Sequence, residues 1–112
     1  MTRTSLFAVV VLVLLSGAAQ QVIAADAKAN YETTCIACHG PKGKGAIPGV
    51  PDMTKEGRMK KSDAELVARI VDGYQTRGSP MAMPPKGGNP GLTTEDAQAL
   101  VEYLRVLTGV AE

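Results

Sequence analysis

The chain has 112 residues, with 12 Lys and Arg against 11 Asp and Glu, a formal charge of +1 at pH 7. That length holds one small domain, and so even a charge balance excludes nucleic acid as the target. Aromatic residues make up only 4% of the chain and there is no Trp, which excludes a core built on large rings.

Arg3, the unbroken apolar run Leu6 to Leu15 and the small residues that follow have the layout of a secretory signal peptide. The run is short for a membrane span. Cleavage is expected after Ala24, with Ala25 and Ala19 as alternatives, dividing the chain into a signal peptide at 1–24 and a domain at 25–112. The domain is then expected in the periplasm, with no stable membrane span after cleavage. Removing 24 of 112 residues leaves 88, and losing Arg3 leaves 11 basic side chains against 11 acidic ones. A domain of that size buries a thin core and needs a staple.

Asp26 to about Cys38 reads as a short helix, with Ala27, Tyr31 and Thr34 or Cys35 along one stripe. Gly40 to Thr54, "GPKGKGAIPGVPDMT", is loop. Ser62-Asp-Ala-Glu65 is a capping box that opens a helix with Leu66, Val67, Ile70 and Val71 at helical spacing, stopped by Gly73. Gln75 to Leu92 is a second loop. Thr93 caps the last helix, whose stripe is Ala97, Leu100, Val101, Leu104 and Leu107, with Gly109 at its end. The expected fold is all-α, three to four helices and two long loops. Loops of that length in so small a domain have to wrap something.

Thr34 to Gly40, "TCIACHG", holds both cysteines and the single histidine. A thioredoxin-type dithiol would follow a strand, and no segment shows strand alternation. A structural zinc site needs four ligands arranged around the ion, and three adjacent ones cannot supply it. A disulfide across two residues would staple almost nothing and leave the histidine without a task. Cys-x-x-Cys-His fits c-type haem attachment: Cys35 and Cys38 add to the two vinyl groups, and His39 lies where it can ligate iron. One covalently held haem c also replaces the missing aromatic rings at the centre of the core.

With that motif in place, nearly all of the chain after the signal segment resembles a class I c-type cytochrome of the small bacterial monohaem kind. The resemblance implies a small cytochrome c fold enclosing the haem. In this family a proline about a dozen residues after the histidine positions a carbonyl that accepts the Nδ1 proton; Pro51 stands there, with Pro48 as the alternative. It also implies packing of Tyr31 against Tyr103, and a close helix crossing at Ala27 where many members have Gly.

The candidates for a sixth iron ligand are Met53, Met59, Met81 and Met83. "MPPKGGNPGLTTED" resembles the family pattern of an axial Met followed by Pro and then the last helix, which implies Met83, with Met81 as the alternative. Met59 alternatively packs at the start of the middle helix. His39 and Met83 together raise the reduction potential, because thioether sulfur favours ferrous iron. The implied function is single-electron transfer between redox-partner proteins, without catalysis. The alternatives are a haem subunit of a larger oxidoreductase and an open-site haem sensor or peroxidase. Lys42, Lys44, Lys55, Arg58, Lys60 and Lys61, against Asp52 and Glu56, offer a basic face for an acidic partner. A mixed solvated surface is the plainer alternative.

Overall fold

The computed structural model describes residues 26–55 and 57–110. The expected signal peptide, its cleavage site and Glu56 lie outside the described residues. The chain is helical from 26 to 39, from Asp63 to Asp72 and from Thr94 to Thr108. Short 3-10 turns at Arg58–Lys60 and Pro85–Gly88 punctuate the loops between them. Among the described residues the only β-type pairing is an isolated antiparallel bridge of Tyr74 with Met83. The all-α expectation of three helices and two long loops holds.

The first helix is not uniformly α. Tyr31–Cys35 form a π turn that leads into Ile36–His39. Thr33 Oγ1 donates back to the Ala29 carbonyl at 2.9 Å, a bond that competes with the regular ladder and bends helices. Gly40 closes the helix, its N–H donating to the Ile36 carbonyl at 2.8 Å.

The other two helices begin where their caps predict. Ser62 Oγ accepts from the Glu65 N–H at 3.2 Å, one of the two bonds of the expected capping box. Thr93 and Asp96 make both: Asp96 N–H to Thr93 Oγ1 at 3.0 Å and Thr93 N–H to Asp96 Oδ2 at 2.9 Å. Those bonds hold the Asp96 carboxyl below its usual range. Gly73 and Gly109 follow the middle and last helices as expected.

Tyr31, Leu66, Ile70, Leu92, Ala97, Leu100, Val101 and Leu104 form one buried cluster with Met59. The Tyr31 and Tyr103 rings meet at 5.5 Å, tilted by 50°, where the first and last helices cross. Ala27 is buried, as the expected close crossing requires. Leu107 packs on this cluster from the last helix.

Arg105 joins the core from the same helix, 7% exposed. Its Nε donates to the Met59 carbonyl at 3.3 Å and its Nη2 to the Lys61 carbonyl at 2.9 Å, while Nη1 pairs with Asp63. One guanidinium thus ties the last helix to the turn that starts the middle helix.

Candidate functional site

The three helices and both loops enclose a cleft of about 1290 Å³, counted out to its open mouth. Cys35, Cys38 and His39 line one side, and Met81, Ala82, Met83 and Pro84 line it from the second loop. Leu66, Ile70, Leu100, Val101 and Leu104 supply an apolar floor from the middle and last helices. The structure therefore brings all four residues singled out by the sequence to one cavity.

The π turn and the short helix after it carry Cys35, Cys38 and His39 to the cleft. Burial, and then the neighbouring Cys38 thiol, push the Cys35 thiol up to about 11. Burial lowers the basicity of His39, so its imidazole is favoured in the neutral form that can bind a metal. The loop beyond folds back under the histidine: Ala46 N–H donates to the Cys38 carbonyl and Gly45 N–H to the His39 carbonyl, each at 2.9 Å. Gly45 has φ +88, and a Cβ there would come within 2.7 Å of the Val50 carbonyl oxygen, so glycine is required for this tight return. Pro51 lines the cleft. The bond expected from His39 Nδ1 to a carbonyl of this loop is not made; Nδ1 is buried with no hydrogen-bond partner among the described residues.

All four candidate methionines line the cleft, and burial and backbone distinguish them. Met59 is 3% exposed and belongs to the core, the packing role open to it from the sequence. Met81 is 40% exposed, at the mouth near Gly49. Met53 and Met83 are half-buried against the core. Met83 alone among the four is pinned by a reciprocal pair of main-chain bonds: Tyr74 N–H to its carbonyl at 3.0 Å, and its own N–H to the Tyr74 carbonyl at 2.8 Å. Pro84 follows in extended conformation, φ −69 and ψ 155.

That pinning depends on Gly73, which has φ +80. A Cβ there would lie 2.8 Å from the Met83 carbonyl oxygen and 2.9 Å from Pro85 N, so the methionine segment can lie against the helix end only beside glycine. On the far side, Asn89 Nδ2 donates to Thr34 Oγ1 at 3.3 Å, joining the methionine loop to the residue before Cys35. Reading the sequence missed both of these ties. Only the Gly and Pro density of the loop hinted that its path was constrained.

Two further charged groups reach the cleft, Arg58 and Arg69. Arg69 Nη2 donates to Glu65 Oε1 at 2.8 Å, and its guanidinium carbon lies 3.8 Å from the centre of the Tyr74 ring. The basic stretch is only partly at liberty: Lys55 lies 4.0 Å from Asp52 and Lys61 3.7 Å from Glu65, whereas Lys42, Lys44 and Lys60 are exposed.

Residues 23–104 match the family model described as cytochrome c oxidase, cbb3-type, subunit III. Cytochrome c-555 of Prosthecochloris aestuarii is 32% identical over 87 residues, 76% of this chain and 88% of the relative. Cytochrome c-555 of Chlorobaculum tepidum is 36% identical over 92 residues, 81% of this chain and 82% of the relative. A lupanine 17-hydroxylase [cytochrome c] of a Pseudomonas species is 31% identical over 70 residues, only 9% of its own length. No solved structure matches the chain.

Proposed function

Because this chain belongs to the small class I c-type cytochromes, electron-transfer proteins that carry haem c on two cysteines, here Cys35 and Cys38, we propose that it is a periplasmic carrier of single electrons with His39 and Met83 as its axial ligands. The residues present fit the haem. Two thiols stand at the edge of an apolar cleft, and burial lowers the basicity of the adjacent imidazole.

The bound haem supplies a one-electron iron couple. The chain's own groups do the rest. Cys35 and Cys38 fix the porphyrin covalently, so it stays in place through every redox cycle. His39 would offer an imidazole nitrogen to the iron and Met83 its thioether, the methionine segment being held by the Tyr74 bridge and Pro84. Leu66, Ile70, Leu100 and Leu104 keep water from the buried side. With His39 and Met83 both engaged in holding the group, the cleft would keep no open position for a substrate, which suits electron transfer rather than turnover. The observation that supports this reading is the convergence of Cys35, Cys38, His39 and Met83 on one apolar cleft.

Export through the segment before Asp26 is part of the proposal; among the described residues no helix is long and apolar enough to cross a membrane. A second reading, a haem subunit docked in a larger oxidoreductase, draws on the printed names of the oxidase-subunit family and the hydroxylase relative. Purification of the exported, haem-loaded protein tests both. A free carrier elutes alone and titrates as one reversible one-electron couple, with a sulfur-to-iron charge-transfer band when oxidised. Stoichiometric co-purification with a second chain favours the subunit, and absence of the band refutes the His/Met assignment.

A further inference from the structure

Arg69 is, with Arg58, one of two cationic side chains in the wall of a mostly apolar cleft, and its side chain is 26% exposed. An ordinary exposed i,i+4 ion pair on a helix contributes little and leaves both groups in water. Glu65 and Tyr74 are likewise exposed, at 46% and 43%, but here the guanidinium is held from two sides. Glu65 binds the guanidinium from one direction at 2.8 Å, and the Tyr74 ring lies against its plane at 3.8 Å. Tyr74 is in turn the residue whose peptide is bonded in both directions to Met83. Glu65, Arg69, Tyr74 and Met83 thus form a continuous line of contacts from the middle helix to the thioether strand.

Glu65 is also shared: Lys61 Nζ lies 3.7 Å from the same carboxylate oxygen that Arg69 binds. One carboxylate between two cations leaves the cluster with a net positive charge. A positive charge beside the cleft, even when partly screened by solvent, favours whichever redox state carries less positive charge, which is the reduced one.

We propose that Arg69 is a positioning residue for electron transfer, bracing the Tyr74–Met83 bridge through its stack on the Tyr74 ring and setting the reduction potential upward through its charge. The bracing half rests on the assignment of Met83 as the axial ligand; the charge half does not. An arginine suits the task because its planar fork binds Glu65 and stacks on the ring at once, which a lysine cannot do.

The test is made on the haem-loaded protein, with two readouts: the equilibrium with a fixed one-electron reference couple, and the rate at which added imidazole displaces the thioether. Arg69→Gln shifts that equilibrium three- to tenfold toward the oxidised form, tenfold corresponding to about 59 mV, and speeds displacement. Arg69→Lys keeps the equilibrium near that of the parent but still speeds displacement, because it restores charge without the stack. Glu65→Gln shifts the equilibrium the opposite way, toward the reduced form. If Arg69→Gln lowers thermal stability but moves neither the equilibrium nor the displacement rate, Arg69 is only a helix-surface ion pair and the proposal is overturned. Met83→Ala, run alongside, separates the two readings. Loss of the charge-transfer band there, with Arg69→Gln silent, sinks the Arg69 proposal alone. Retention of the band sinks the axial assignment and the bracing half with it, leaving the charge half to stand or fall on the Arg69→Gln equilibrium.

Discussion

The Tyr31 hydroxyl donates to the Gly40 carbonyl at 2.5 Å, so the first helix is tied to its own C-terminal end across the attachment motif. Tyr31 is 1% exposed. Burial, then the nearby Cys35 and Tyr103 groups, raise its phenol from 10.0 to about 12.

A pH dependence follows. Between pH 10 and about 12 the unfolded chain has released the Tyr31 proton while the folded one still holds it. The folded state then binds more protons, so its stability falls as pH rises through that window. Below pH 10 the contribution is fully present. Denaturant melts of the parent should weaken across this range, and Tyr31→Phe should lack that part of the slope. Equal slopes in the two proteins would show that Tyr31 is not the group responsible.

Met83→Ala should open the sixth coordination position, abolish the charge-transfer band, admit cyanide or carbon monoxide, and lower the potential. Met81→Ala should retain the band and cost about 1 kcal/mol or less, as expected for a side chain at the cleft mouth. Absorbance spectra of the two oxidised variants decide between the methionines. Loss of the band in Met81→Ala would move the ligand by two residues.

Gly73→Ala probes the close approach behind Met83. The backbone at this position, φ 80 and ψ 169, alone costs a side chain about 1–3 kcal/mol, and the added Cβ would press on Met83 and Pro85 main-chain atoms. The variant should melt at lower temperature and exchange its thioether for added imidazole faster than the parent. Gly78→Ala has no such contact to disturb and serves as the control, since nothing lies within 4 Å of its Cβ position. Both glycines have positive φ, but only the Gly73 Cβ position meets main-chain atoms, so Gly73→Ala should be the more damaging of the two.

For partner docking, Lys42, Lys44 and Lys60 are the informative lysines, because Lys61 is engaged with Glu65 and its carbonyl with Arg105. Replacing these three by Glu should slow electron transfer to an acidic partner while leaving the potential nearly unchanged. The parent rate should also fall as salt rises, since exposed charges are screened within about 10 Å at 0.1 M. Stopped-flow rates at two ionic strengths measure this, and a rate indifferent to both salt and charge returns the lysines to an ordinary solvated surface.

What was legible in the sequence was local. Cys35, Cys38 and His39 are adjacent, so their shared chemistry could be read directly, and Ser62, Thr93 and Gly109 mark helix ends through bonds that span only a few residues. What stayed hidden depends on distance along the chain or on competing local bonds. Arg105 reads as one basic residue in an acidic helix, yet it closes on carbonyls more than 40 positions earlier. The π turn at Tyr31–Cys35, within which Thr33 bonds backward to the Ala29 carbonyl, is not revealed by residue spacing. The Tyr74–Met83 bridge lies at the edge of a run of Gly and Pro that masks any strand pattern. Pro51 was expected near His39 and lines the same cleft, but the expected bond to Nδ1 is not formed.

The Tyr74–Met83 bridge has a consequence for how this architecture can diversify. It closes the segment 75–82 at its base, while Arg77 and Gly78 at the far end are exposed. Once the base is fixed, lengthening such a segment costs only about 0.6 kcal/mol per doubling, because closure entropy grows logarithmically. Residues can therefore be inserted at its tip with little strain on the thioether. The tip can change its shape while the bridge keeps the cleft-lining end at Met83 constant, so surface recognition and the lining of the cleft can evolve on separate residues.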